Sequence, residues 1–225
     1  MRVLTWNVFH GRSVPPAGRG LLNAFAARLA GWDWDLALLQ EVPPWWSPLL
    51  ARAFGADERS VLTSRNGLLC VRRAISVRNP DLLKSNGGGC NAILVRGDAV
   101  TEHRTEQLSR WPERRWMHGV RLESGLWVVN LHASTRKGSK TAPKTRAEVR
   151  HAGGTGLAWA GGAPLVLGGD LNLPDPGELP GLRHVAGHWV DHVYVSRLEP
   201  AGKAEVPDRG TLSDHAPVIV GLAVP

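Results

Sequence analysis

Residues 164–173, reading Pro-Leu-Val-Leu-Gly-Gly-Asp-Leu-Asn-Leu, constrain this chain more than any other stretch. An apolar run at 164–167 ends in two glycines, and Asp170 and Asn172 then stand two residues apart. In extended chain, positions i and i+2 project to the same side. A carboxylate and a carboxamide therefore leave the end of a buried strand together. A second polar cluster, Asp214 and His215, stands just before another apolar run at 218–220. Carboxylate, amide and imidazole groups meeting at strand ends are the types that metal-assisted attack on a phosphate ester requires.

The 225 residues suffice for one substantial core, and no linker, low-complexity block or composition shift divides them. A single domain spanning 1–225 is expected. Content of 43% hydrophobic and 21% charged residues is that of a soluble globular protein. The formal net charge of +7 favours polyanionic partners: nucleic acid, an anionic membrane surface or phosphorylated small molecules. Cys70 and Cys90 are too few for a disulfide framework and suit free thiols in a reducing cytosol. The N-terminal sequence lacks the apolar region of a signal peptide, and no stretch approaches the roughly 20 apolar residues of a membrane span. A cytoplasmic protein, monomeric by default, is the expectation.

Periodicity predicts strands at 3–8, 35–40, 67–72, 91–96, 115–122, 126–132, 164–169, 190–196 and 217–222. Helices are predicted at 19–31, from Pro43-Pro44 through Phe54, and at 143–160, with loops at 10–20 and 173–181. Strands and helices mixed along one chain suggest a layered α/β or α+β fold.

Chemistry-bearing residues recur where apolar segments end. Asn7 closes the first, Gln40-Glu41 the second, and Asn130 and His132 share a side at the end of another. Asp170 with Asn172, Asp191, and Asp214-His215 follow. A lone asparagine at a strand end is usually a cap, and a lone glutamate a solvated charge. Six such sites in one chain, holding the types a phosphodiester site needs, make the ordinary explanation weaker.

In order, TWNVFHG (5–11), LLQEV (38–42), WVVNLHA (127–133), GGDLNL (168–173), WVDHVYV (189–195) and LSDHAPV (212–218) resemble the signature blocks of the endonuclease/exonuclease/phosphatase superfamily, which includes deoxyribonuclease I. The resemblance implies a four-layer α/β/β/α sandwich, two mixed β-sheets face to face with helices outside. It also implies a divalent-metal phosphohydrolase using Mg2+, with Mn2+ or Ca2+ as substitutes. By matched position Asn7 and Glu41 would hold the metal, and Asp214 would approach a second metal or orient the site. Asp170 would orient or deprotonate the attacking water, and Asn172 would bind a phosphate oxygen. His215 would contact the scissile phosphate with Asp191 fixing its ring, and His132 would sit beside the phosphate.

The substrate is less legible. Arg136, Lys137, Lys140 and Arg146 fall in a basic segment just after His132, where they would contact a nucleic-acid backbone; a solvated loop and helix face would carry the same charges. Arg104, Arg110, Arg114 and Arg115 form a second basic region interleaved with Trp111 and Trp116. Asn91 either helps line the site or ends the Gly-rich turn before it. Phe9 stands where exonuclease III-type abasic-site enzymes carry an aspartate, and Tyr194 is a poor match for their phosphate-side tyrosine. The leading expectation is a nuclease acting on DNA, with RNA as the other polymer. The alternatives are hydrolysis of a small phosphate ester, phosphoinositide or phospholipid headgroup, and a non-catalytic nucleic-acid-binding relic of the fold.

Overall fold

Twelve strands in two sheets of six, faced by helices, make up the described part of the chain. The structure is a computed structural model and describes residues 1–63, 67–83, 89–111, 114–135 and 142–223. The first sheet runs in the order β11 (Glu199–Pro200), β12 (Val218–Ala223), β1 (Arg2–Asn7), β2 (Leu36–Val42), β4 (Cys90–Val95), β3 (Asp57–Leu62). The second runs β5 (Val100–Ser109), β6 (Arg115–Leu122), β7 (Trp127–His132), β8 (Leu165–Asp170), β10 (Asp191–Ser196), β9 (Arg183–His188). Helices α1 (Leu22–Ala30) and α2 (Ser47–Phe54) cover the outer face of the first sheet, and α4 (Ala142–Ala160) that of the second. The expected four-layer sandwich of two mixed sheets is the observed architecture.

Each sheet contains one parallel pair, β1/β2 and β7/β8, joined by α1 and α4 respectively. Their flanking strands are antiparallel. Parallel partners end on the same edge, so β1 and β2 finish beside each other, as do β7 and β8. The antiparallel strands β4 and β10 start from those same edges. This connectivity gathers the polar strand ends of distant segments at one end of the sandwich. Topology repeats between the two halves although no sequence repeat announces it.

Strand alternation sorts the side chains. On the facing surfaces Val3, Leu36, Leu38, Ile93 and Val95 from one sheet meet Val120, Val128, Val166, Val193 and Val195 from the other. Each such buried side chain contributes about 1.5–3 kcal/mol, so this seam is the main drive for stacking the sheets. Further along the same strands, the same side presents Thr5, Asn7, Gln40, Asn91, His118, Asn130, His132, Asp170 and Asp191, all buried. The seam is therefore apolar at one end and polar at the other.

Hydrogen bonds across the polar end make its burial tolerable. Regular pairing of β2 with β4 stops after Leu39–Ala92 and resumes at Val42–Cys90. Asn130, from the opposite sheet, donates its Nδ2 to the carbonyls of Leu39 (3.0 Å) and Ala92 (2.9 Å). Gln40 Nε2 donates to Asn130 Oδ1 at 2.8 Å. The irregularity places Glu41 in the left-handed region (φ 52°). Gly169 (φ 140°) is required for the close approach of β8 to β7, because a Cβ there would overlap the Leu131 carbonyl oxygen.

Several local expectations are corrected. The strand expected at 67–72 is the start of α3 (Leu69–Arg78). A short apolar run reads as either element, and here Leu68, Leu69 and Val71 are exposed rather than packed in a sheet. The second helix starts at Ser47, with 43–46 in turns. Strands β3, β5 and β9 were not anticipated; each is largely polar and partly exposed, so no apolar signal marks it. Cys70 is exposed, Cys90 is buried, and both are free thiols. Among the described residues no helix is long and apolar enough to cross a membrane.

Asn130→Ala would remove the Nδ2 donor from two buried carbonyls and one of the acceptors of the Gln40 amide, which keeps Thr5 Oγ1 and the Leu38 carbonyl. It is expected to destabilise the fold by on the order of 3 kcal/mol, read as a lower midpoint in urea unfolding. A change below about 0.5 kcal/mol would show that the cross-sheet amide does not hold the seam.

Candidate active site

Asp170 is the hub of the polar end. It closes β8 and is buried, and it sits beside His132 across the parallel pair. Asn7 Nδ2 donates to its Oδ2 at 2.9 Å, and the backbone N–H of Asn172 donates to its Oδ1 at 2.9 Å. His132 Nε2 lies 3.4 Å and His215 Nε2 3.8 Å from Oδ2. Burial raises the Asp170 carboxyl above its usual range, and the Glu41 charge adds to that; His215, Asn7 and Asn172 pull it back. The result is a carboxylate held in one orientation by both sheets.

His215 is built with equal care. Ser213 (φ 62°) donates its hydroxyl to the Asn7 carbonyl at 2.6 Å, and the His215 N–H donates to that hydroxyl at 3.0 Å. Trp6 Nε1 donates to the His215 carbonyl at 3.0 Å. These bonds tie the loop before β12 to the end of β1. His215 Nδ1 lies 2.7 Å from Asp191 Oδ2, leaving Nε2 facing Asp170. Burial opposes protonation of His215, but the Asp191 hydrogen bond and the charges of Asp191, Asp170 and Asp214 outweigh it, raising its pKa to about 9. His132 goes the other way: burial, then the fields of Arg115, His215 and His10, push it well below the ordinary histidine range. One histidine beside Asp170 is thus held charged and the other neutral.

Asn172 (φ 52°) has its Nδ2 engaged with the Ala133 carbonyl at 3.0 Å, so it fixes the loop after β8 against the end of β7. Asn7 accepts the Phe9 N–H on Oδ1 at 2.9 Å while orienting Asp170. Asp170 and Asp191 are closed to solvent, whereas the Glu41 and Asp214 side chains are 19% and 41% exposed. The Glu41 charge helps raise Asp214, after burial, while His215 and Arg12 oppose it. The Glu41 and Asp214 carboxylates and the Asn7 amide oxygen are oxygen donors at this end of the sandwich. That hard-oxygen set suits Mg2+ or Mn2+. Among the described residues, Asp170, Asp191 and His215 bring ligand atoms within 4.8 Å of one another, all three buried.

The expected residues Asn7, Glu41, His132, Asp170, Asn172, Asp191, Asp214 and His215 thus converge. Asn91 is wholly buried between the sheets; its Nδ2 donates to the Trp116 carbonyl at 3.1 Å, and its Oδ1 meets no hydrogen-bond donor among the described residues. The Nδ2 bond bridges β4 and β6. Arg146 on α4 lies against Gly177, in the loop after Asn172. Arg136, Lys137 and Lys140 lie outside the described residues. Two residues at the mouth were not singled out from sequence. His10 Nε2 lies 3.0 Å from Glu41 Oε2. Trp189 stands in the two-residue turn between β9 and β10, 60% exposed and left-handed (φ 55°), its ring centroid 5.3 Å from that of His215.

The model of the endonuclease/exonuclease/phosphatase family matches residues 4–215. Among curated proteins none matches. An endonuclease/exonuclease/phosphatase from Beutenbergia cavernae is similar in fold (TM-score 0.76, 18% identity, 99% of this chain and 71% of that one). So are a mannosyl-6-phosphatase from Bacteroides thetaiotaomicron (0.72, 17%, 100% of each chain) and a humanised D. rerio TDP2 (0.72, 16%, 100% of this chain and 99% of that one).

The raised His215 pKa has a measurable consequence. Its ordinary value is 6.5, so the stability gained from charging His215 is fully present below about 6.5 and is lost as pH rises through about 9; burial holds Asp191 up at about 7, so the imidazolium–carboxylate pair occupies the window from about 7 to 9. In metal-free protein the His215 ring resonances are expected to titrate near 9, and Asp191→Asn to bring the midpoint down into the ordinary range. A wild-type midpoint at 6.5 would remove the ion pair from the site.

Proposed function

The chain belongs to the endonuclease/exonuclease/phosphatase family, whose members are divalent-metal-dependent phosphoric ester hydrolases, and on that premise we propose that it is a nuclease hydrolysing phosphodiester bonds of DNA. Trp189 carries this reading. A large aromatic face stands at the mouth beside the imidazole best placed to touch a phosphate. Nucleobases stack on such faces, each stack being worth about 1–3 kcal/mol. A net charge of +7 draws a polyanion towards the site.

In this reading Asp170 orients the attacking water and accepts its proton, since its raised pKa makes it a better base than an exposed aspartate. Protonated His215 donates from Nε2 to a phosphate oxygen as negative charge builds, and Asp191 keeps it charged. Neutral His132 and Asn172 shape the pocket around Asp170. Glu41, Asn7 and Asp214 would hold a divalent cation, which would offset phosphate charge and help the alkoxide leave.

Hydrolysis of a small phosphate ester is the second reading. It is favoured by the match to a mannosyl-6-phosphatase over the full length of both chains. Nicking of supercoiled plasmid with Mg2+, with and without EDTA, separates the two. The expected result is metal-dependent nicking, lowered on the order of 10²-fold or more in kcat by either His215→Ala or Asp170→Asn. No nicking by folded, metal-loaded protein that still hydrolyses small phosphate esters would overturn the nuclease reading. Trp189→Ala should weaken binding of a short single-stranded oligonucleotide on the order of tenfold by fluorescence anisotropy. An unchanged affinity would take Trp189 out of the substrate path.

A further inference from the structure

A second histidine pair lies on the outer face of the second sheet, on the β9–β10 hairpin. His192 Nε2 lies 2.9 Å from the Leu173 carbonyl. A carbonyl only accepts, so this nitrogen carries the proton and Nδ1 presents a lone pair. His184 Nε2 lies 3.1 Å from that Nδ1. Metal–nitrogen bonds of about 2.0–2.1 Å put two adjacent ligand nitrogens about 3.0–3.4 Å apart, so this spacing suits a chelated ion as well as a hydrogen bond. A metal-bound imidazole characteristically donates its other N–H to a backbone carbonyl, as His192 does.

Two further observations point to a ligand. Gly187 is the direct cross-strand partner of His192, and an irregularity in the β9–β10 register brings His184 in from the diagonal. A Cβ on Gly187 would collide with His192 Nδ1 and lie 3.0 Å from His184 Nε2. Gly187 has no left-handed backbone to explain it. The space its missing side chain leaves is the space in which the two nitrogens converge. Gly187 and His184 are exposed, so the space opens to solvent. Partial burial lowers both rings from the ordinary histidine value, which favours the neutral form that binds metals. Tyr194 supports the pair by packing edge-on to His184 (5.0 Å) and donating its hydroxyl to the Gly177 carbonyl.

We propose that His184 and His192 form a second cation site, a two-imidazole clamp for a borderline transition-metal ion such as Zn2+, Ni2+ or Cu2+. Water completes the coordination over Gly187. On binding, the His184 proton moves from Nε2 to Nδ1, so no net proton is lost. The nitrogen donors separate this clamp from the oxygen set at Glu41, which selects harder ions. Through the Leu173 carbonyl the clamp is tied to the loop that carries Asn172.

The test is calorimetric titration of Zn2+ into protein held in excess Mg2+, with Cu2+ electron paramagnetic resonance counting coordinated nitrogens. One Zn2+ per chain and a two-nitrogen Cu2+ signal are expected. His184→Gln and Gly187→Ala should each weaken Zn2+ binding by on the order of 10²-fold, and His215→Ala should leave it intact. His184 is exposed, so His184→Gln decides alone if Gly187→Ala does not fold. No bound Zn2+, affinity indifferent to His184→Gln, or loss of binding in His215→Ala would each overturn the proposal. None of these outcomes depends on whether the substrate is a nucleic acid or a small ester.

Discussion

A buried amide, Asn130, ties the two sheets together where the β2–β4 ladder breaks. Asn130 reaches across the seam to the carbonyls of Leu39 and Ala92, the last regular pair before the β2–β4 ladder breaks. Without that break Glu41 would continue the strand and alternate into a sheet face; with it, the backbone turns left-handed and sends the carboxylate to the mouth. The break alone would strand polar groups in the interior, which costs about 1–3 kcal/mol for each unmet group. Asn130 offsets that cost from the opposite sheet. Gln40 in turn fixes the Asn130 amide. The position of Glu41 relative to Asp170 is therefore set by a bond between sheets as well as by either sheet's own ladder.

The same enclosure explains the electrostatics. Burial alone would neutralise every ionisable group around Asp170. His132 follows that rule, with positive neighbours reinforcing it. His215 escapes it because three aspartates face it and one is hydrogen-bonded to its far nitrogen. Burial outweighs the pull of His215 on Asp191 and leaves it raised to about 7, so imidazolium and carboxylate face each other between about 7 and 9. Two histidines within 4 Å of one carboxylate thus hold opposite charge states. That division lets one neighbourhood supply a base and a charged donor at the same pH.

The polar blocks could be read from sequence because each adjoins an apolar run, and strand alternation then says which side chains share a face. Asp170 with Asn172 is legible by that alternation, and Asp214 with His215 as adjacent polar residues just before an apolar run. The partnership of Asp191 with His215 came only from the family resemblance, since the two lie on separate strands. Asn130 was seen, but its role depends on register across the seam, which no local pattern encodes. The Asn91 bond to Trp116 depends on the same cross-seam register. Strands β3, β5 and β9 escaped because exposed edge positions carry polar residues, and α3 because its apolar residues never enter the core. Among ten tryptophans, sequence could not tell Trp6, buried under His215, from Trp189, standing open beside it.

Much of what distinguishes this site sits on one hairpin. Its tip holds Trp189, and the next two residues after Val190 are Asp191, which charges His215, and His192, which anchors the loop bearing Asn172. A bulky residue in the left-handed region costs roughly 1–3 kcal/mol, and nothing in the two-residue turn itself needs tryptophan. Gly or Asn would form that turn with less strain. The strain is instead sustained by the bonds on either side. Leu171 donates its N–H to the Val190 carbonyl, and the ladders to β8 and β9 resume at Asp191. A hairpin held that firmly can present an aromatic face at a fixed distance from His215. That rigidity is what a substrate-contacting surface needs and what a merely solvated turn does not.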